Sequence, residues 1–221
     1  VGEDKRRWPK VNKRMLQLLE EGLETLGVGL DSRQMDAILL FGRELELWNS
    51  VIGLTGAKGE ELIQKHFLDS LAAVPIIQEF VNCCGPQLVD LGAGNGFPGI
   101  VLQIAIPELN VTLLERSQKR CGFLQNVAAL LPQFQIQVQQ QDLSCLQGNY
   151  DIVTSRAFRP LQDDIVADMK RITKKGGVWA LYKGDPAAAQ LEAESAGLQT
   201  ELMDIQVPGL EAKRCLAVFR W

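Results

Sequence analysis

Much is scarce in this chain. Aromatic residues make up 6% of its 221 positions, there is one histidine, His66, and only two tyrosines, Tyr150 and Tyr182. The five cysteines (Cys83, Cys84, Cys121, Cys145 and Cys215) form no C-x-x-C pair. That pattern excludes a disulfide framework and a zinc site, and it fits a reducing, cytoplasmic compartment. No apolar run approaches the ~18 residues needed to span a bilayer, so no membrane partner is expected. The charged beginning lacks an apolar segment of the secretory kind. Compositional bias is also missing: 46% hydrophobic and 23% charged residues exclude a disordered or collagen-like chain. A net charge of -4 argues against indiscriminate binding of nucleic acid over the whole surface.

The charge is unevenly spread. Lys5, Arg6, Arg7, Lys10, Lys13 and Arg14 face only Glu3 and Asp4 in the first 14 positions, a basic arm on an acidic body. Such an arm suits local contact with a polyanion. Residues 1–82 read as a helical subdomain. Pro9 suits a first helical turn, and Met15, Leu16, Leu18, Leu19, Leu23 and Leu26 keep helical spacing up to Gly27. A second helix starts at Asp31 or Ser32, and a third covers roughly 60–80, interrupted by Pro75.

From Gln87 onward the period changes, and residues 83–221 read as a second, Rossmann-like domain. Strands are predicted at 88–91, 110–115, 135–139, 150–154 and 176–182, with helices between them, which implies a parallel sheet covered on both faces. The last two strands, 199–207 and 214–220, are joined around Pro208-Gly209 with no helix, as in an antiparallel hairpin. Seven strands ending in a reversed hairpin are the layout of an α/β class I methyltransferase.

The segment Asp90-Leu91-Gly92-Ala93-Gly94-Asn95-Gly96-Phe97-Pro98-Gly99 follows the first of those strands. Its glycines allow a tight turn and a close backbone approach to a ligand. A dinucleotide turn reads G-x-G-x-x-G; here the spacing is G-x-G-x-G, preceded by Asp90. That suits the methionine end of S-adenosylmethionine, whose amine wants a carboxylate and whose carboxylate wants N–H donors. Glu115 closes the next strand, where a carboxylate accepts from both hydroxyls of an adenosine ribose. A short-chain dehydrogenase would need Lys four residues after a Tyr, but Thr154 and Pro186 stand there.

Several stretches, in order, resemble the glucose-inhibited division protein B family of bacterial small-subunit rRNA guanine-N7 methyltransferases. They are Trp48-Asn49 with Leu54-Thr55, His66-Phe67-Leu68-Asp69-Ser70-Leu71, Gly92 to Gly99, Ser155-Arg156-Ala157-Phe158, Lys183-Gly184, and Arg214 with Leu216. The resemblance implies methyl transfer from S-adenosylmethionine to N7 of a guanine in the 530 loop of 16S rRNA, giving 7-methylguanosine, by a monomer without metal. It assigns the cofactor to Asp90, Gly92, Ala93, Gly94, Gly96, Phe97, Glu115, Asp142 and Arg156. Arg156 and Lys183 are the expected catalytic pair, with Arg214 and the patches Arg116/Lys119/Arg120 and Lys170/Arg171/Lys174/Lys175 toward RNA. Arg156 has an alternative as a surface residue paired with Asp151, and Lys183 as a solvated one. The helix of His66 and Asp69 is expected to line the pocket without doing chemistry, His66 as a partly buried packing residue and Asp69 as a cap, a partner for a basic group or a site residue, while Trp48 and Asn49 fix the joint between helices and sheet. Two places depart from the family: Gly53 stands where it has Asn, and Gln139-Gln140-Gln141-Asp142-Leu143-Ser144 where it tends to show Arg with an acidic pair.

Overall fold

The computed structural model describes residues 13–221, so Pro9 and the basic residues Lys5, Arg6, Arg7 and Lys10 lie outside the described residues. Helix α1 (Lys13–Leu26) buries Met15, Leu18, Leu19 and Leu23, as their spacing requires. Helix α2 (Ser32–Ile52) starts on Asp31, whose side chain accepts from Gln34 N while the Gln34 side chain closes back on Asp31 N. It ends on Gly53, in the left-handed region at φ 65°.

The third helical stretch differs from its expectation. It comprises α3 (Glu60–Leu62), a π-helical turn (Ile63–Leu68) and α4 (Asp69–Leu71), after which α5 (Val74–Cys84) begins anew. Pro75 therefore sits in a first turn, where its missing N–H costs nothing, and does not interrupt a helix. Taken together, residues 60–84 are long and apolar enough to cross a bilayer, contrary to the sequence reading. In the fold they are core: Leu62, Ile63, Phe67, Leu68, Leu71, Ile77 and Phe80 are all buried.

Seven strands form one sheet: β1 (Gln87–Leu91), β2 (Asn110–Glu115), β3 (Ile136–Gln140), β4 (Tyr150–Arg156), β5 (Thr173–Lys183), β6 (Glu201–Ile205) and β7 (Arg214–Arg220), in the order β3-β2-β1-β4-β5-β7-β6. The first five pair in parallel, and β7 lies antiparallel between β5 and β6. The seven-stranded class I layout is thus present, with residues 206–213 as a longer link than a tight turn. Helices α6 (Gly99–Ala105), α7 (Gln118–Leu130), α8 (Asp163–Ile172) and α9 (Pro186–Ser195) cover the two faces.

Strand alternation sorts the core. Leu88, Ile152, Val178 and Leu216 face α1–α7, while Val89, Val153, Trp179 and Ala217 face α8 and α9. The N-terminal helices share the first of these cores: Phe41 of α2 packs 4.9 Å from Phe97 and 6.3 Å from Phe123, ring centre to ring centre. Because β1 has β2 on one side and β4 on the other, the chain direction across the sheet reverses there. A crevice for a ligand opens at the carboxyl ends of those strands.

Candidate active site

The turn after β1 is held through its backbone N–H groups. Ala93 N donates to Leu114 O, Gly96 N to Ala93 O, and Gly94 N to Glu115 Oε2 at 3.0 Å. Glu115 Oε1 accepts from Ser117 N, so the carboxylate links the ends of β1 and β2. Gly92 has φ 69°, and a Cβ there would lie 2.6 Å from the Phe158 ring. The ring reaches that place because Ala157, itself at φ 57°, swings the chain off the end of β4.

Two cavities meet at this point and share Gly92, Arg120 and residues 157–159. The smaller, about 220 Å³, is lined by Glu115, Arg116, Gln141 and Asp142. The larger, about 600 Å³, extends over Gly92, Ala93, Gly94 and Phe97 toward the ends of β4, β5 and β7. Its lining carries six cationic side chains, Lys65, Arg120, Arg156, Arg159, Lys183 and Arg214, against one carboxylate, Asp69. In a chain of net charge -4 this is a focused positive site. Ion pairs at its margin hold several of the cations: Arg159 with Asp142 at 3.5 Å, Arg120 with Glu115 at 3.9 Å, and Lys183 with Glu192 at 2.5 Å.

The charged side is built from side chains. Asp69 is buried and accepts from Arg156 Nη1 and Arg214 Nε, each at 2.9 Å. Arg156 Nη1 also donates to Lys65 O, and its Nη2 meets His66 Nδ1 at 2.7 Å. The π-helical turn helps here: Asp69 N donates to Gln64 O and His66 O, passing over the Lys65 carbonyl that Arg156 uses. With Nδ1 accepting from a guanidinium, His66 carries its proton on Nε2, 2.9 Å from Thr55 Oγ1. Burial, and then the Arg156 charge, lower the His66 pKa to about 4, so the ring is neutral at pH 7. Asn49 completes the chain of contacts by accepting from Leu54 N and Thr55 N and donating to Thr55 O.

A profile of the rRNA small subunit methyltransferase G family matches residues 34–217. The chain belongs to that family. A ribosomal RNA small subunit methyltransferase G from Acidovorax ebreus is 32% identical over 219 residues, covering 95% of this chain and 96% of that relative. One from Ralstonia nicotianae is 35% identical over 207 residues, covering 90% and 92%. Among solved structures, a SAM dependent methyltransferase from Aquifex aeolicus superposes with a TM-score of 0.53 at 15% identity, over 72% of this chain and 92% of that one, which shows the shared fold. The protein is therefore a methyltransferase of the ribosomal RNA kind.

For this small subunit methyltransferase G member, the geometry sorts the expected site residues. Gly92, Ala93, Gly94, Phe97, Arg156, Lys183 and Arg214 line the larger cavity, with His66 and Asp69 beside them; Glu115 and Asp142 line the smaller one. Asp90 and Gly96 line neither. Asp90 is fully buried beneath the turn, its Oδ2 accepting from Gly99 N, so the first N–H of α6 is spent inside the protein. Its Oδ1 has no partner among the described residues, and burial pushes its pKa up to about 7. Gly96 instead makes room for packing, since a Cβ there would lie 2.5 Å from Ile100. Arg156 pairs with Asp69 and not with Asp151, which is engaged by Lys174 and Gln87 N. In the expected 170–175 patch, Arg171 donates to Leu143 O and Leu146 O and Lys170 lies over Trp221, so both have structural duties. Sequence reasoning missed Glu192, which accepts from Lys183 Nζ and from Leu161 N; no motif or spacing signals it.

Proposed function

We propose that this protein transfers a methyl group from S-adenosylmethionine to N7 of a guanine in the 530 loop of 16S rRNA. One observation carries the reading: a glycine turn and a β2 carboxylate open directly into a cavity lined by six cations on an acidic protein. The residues present fit the cofactor. Gly92 and Gly94 give a floor without side chains, Glu115 and Asp142 offer acceptors in the adjoining cavity, and Asp90 fixes the turn from beneath through Gly99 N. When bound, S-adenosylmethionine supplies an electrophilic methyl group on a positively charged sulfur.

What the side chains lack agrees with this chemistry. Guanine N7 has a free lone pair, so no base has to remove a proton before attack. His66 is already committed to Arg156 through Nδ1, and Tyr182, whose pKa burial raises well above its usual value, donates to Ser70 O. The chain's contribution is positioning and electrostatics. Arg156 and Phe97 stand where the two substrates would meet, with the Arg156 guanidinium 5.2 Å over the Phe97 ring. Lys183 and Arg214 offer further cationic contacts for the RNA.

The test is label transfer from S-adenosylmethionine to small-subunit particles that lack the mark, with the labelled nucleotide mapped. N7-methylguanine in the 530 loop is the expected product. Label at another nucleotide would assign a different target, and cofactor binding without any label would leave only a binding module.

A further inference from the structure

Asp69 is the one carboxylate among the described residues lining the larger cavity, and both its oxygens hold an arginine. A guanidinium has five N–H donors. On Arg156, Asp69, Lys65 O and His66 take three, leaving Nε–H and one hydrogen on Nη2. On Arg214, Asp69 and Lys213 O take two, leaving three on its Nη atoms. Two like-charged groups would not settle side by side unaided; the carboxylate between them makes the pairing stable and fixes both orientations.

The location says which oxyanion such a pair serves. Arg156 ends β4 and Arg214 begins β7, with β5 and Lys183 between them. The glycine turn follows β1, three strands from β7, which is on the order of 14 Å at the usual strand spacing. Arg214 thus belongs to the side of the cavity away from Glu115 and the cofactor cradle. Resting on the functional reading above, we propose that Asp69 is a positioning residue that holds Arg156 and Arg214 as a rigid two-arginine clamp for one phosphodiester of the RNA substrate. Asp69 acts through the arginines and does not itself touch the RNA.

The clamp predicts an effect opposite in sign to simple Coulomb attraction. Neutralising a carboxylate beside a polyanion site should tighten RNA binding if Asp69 is only a nearby charge. If Asp69 is the anchor, Asp69→Asn should loosen it, because each arginine holds its own oxygen and the amide keeps one of them while presenting its NH₂ to the other arginine. The experiment measures binding of an unmethylated 16S rRNA fragment containing the 530 loop over a range of salt, with S-adenosylmethionine affinity measured alongside. Asp69→Asn and Arg214→Gln are each expected to weaken RNA binding about tenfold and to flatten the log–log salt slope by about 0.7, one phosphate contact. The double variant should be no worse than either single one, since both break the same unit. Cofactor affinity should stay within about threefold.

Tighter RNA binding in Asp69→Asn, an unchanged salt slope in both single variants, additive losses in the double variant, or an equal loss of cofactor affinity would each overturn the clamp. If Asp69→Asn does not fold, Arg214→Gln and Arg214→Lys carry the test: Lys keeps the charge and with it the salt slope, but not the fork that Asp69 orients, so its RNA affinity should still fall about tenfold, and an affinity equal to the parent's would overturn the clamp. Failure of the functional reading looks different, because then the unaltered protein neither binds nor methylates this RNA.

Discussion

The two sides of the cavity are built by different means. On the β1–β2 side every link starts from a main-chain N–H: Ala93 N donates to Leu114 O, Gly94 N to the Glu115 carboxylate and Gly99 N to the Asp90 carboxylate, between residues no more than 21 positions apart. On the β4–β5–β7 side they run from side chain to side chain, joining Arg156 to Asp69, Arg156 to His66 and Arg214 to Asp69 across 87, 90 and 145 positions. A backbone cradle accepts almost any side chain except where the chain must turn left-handed, and there it fails at a single glycine. A desolvated ionic cluster fails whenever one partner is removed, because the other is left buried with its charge uncompensated. The first kind of site suits a ligand that never changes, and the second a substrate that has to be selected.

The largest effect is expected at Gly92. A side chain there meets both a φ of 69° and a contact of 2.6 Å with the Phe158 ring. Gly92→Ala should lower cofactor affinity on the order of 100-fold, from left-handed strain plus the displaced ring. Titration calorimetry with S-adenosylmethionine checks this, and RNA affinity measured on the same variant should hardly move. Equal losses of both would mean that the two sides are one mechanical unit, and the distinction drawn above would fall.

Burial displaces the pKa of one group on each side into the range between acid and neutral pH, and the two shifts act oppositely on stability. His66 is lowered to about 4 from 6.5, so its stability contribution is complete above pH 6.5 and is lost as the pH falls through 4. Asp90 is raised to about 7 from 3.8, so its contribution is complete below pH 3.8 and is lost as the pH rises through 7. Between pH 4.5 and 6.5 the two nearly cancel, and urea midpoints of the unaltered protein should change little on their account. His66→Gln should then become less stable with rising pH over this window, and Asp90→Asn more stable, each by on the order of 2 kcal/mol. Parallel pH profiles in the two variants would show that neither group titrates as its surroundings dictate.

A smaller loss is expected at Glu192, which ties Lys183 and the Leu161 N–H to α9. Glu192→Ala should reduce kcat about tenfold, the worth of one partly buried charge-assisted hydrogen bond, with cofactor affinity within about threefold. Glu192→Gln keeps an acceptor for Leu161 N and should fall between the variant and the parent. A cofactor defect in Glu192→Ala would place α9 on the wrong side of the comparison.

The difference in construction also explains what could be read beforehand. The strand alternation, the reversed last strand and the turn from Gly92 to Phe97 are local patterns, and the fold carries all of them. Glu115 was legible because one strand and one turn fix its distance from the glycines. The role of Asp90 was not, because its type and place suit either a ligand or the Gly99 N–H below the turn, and only burial decides. Nothing local marks Asp69 as the partner of Arg156 and Arg214, or Glu192 as that of Lys183. Those pairings depend on how α4, β4, β7 and α9 are brought together, and sequence similarity points to the stretches without saying which side chains meet.

The smallest expected effect tests the departure at Gly53. This residue closes α2 in the left-handed region, its N–H donating to Asn49 O, and a Cβ there would meet nothing within 4 Å. Glycine and asparagine are the two residues most at ease in that conformation at a helix end. The loop that follows is fastened by Asn49, which engages Leu54 N, Thr55 N and Thr55 O without any help from position 53. Replacing Gly by the Asn that the family resemblance leads one to expect should thus change stability by less than about 0.5 kcal/mol and leave methyl transfer as it was. Gly53→Val, which meets the same open space but resists the positive φ, should cost about 1–2 kcal/mol in a thermal melt. If Gly53→Asn instead raised the transfer rate severalfold, the amide would be reaching the Thr55–His66–Arg156 chain of contacts. The side-chain half of the site would then extend one residue beyond the end of α2.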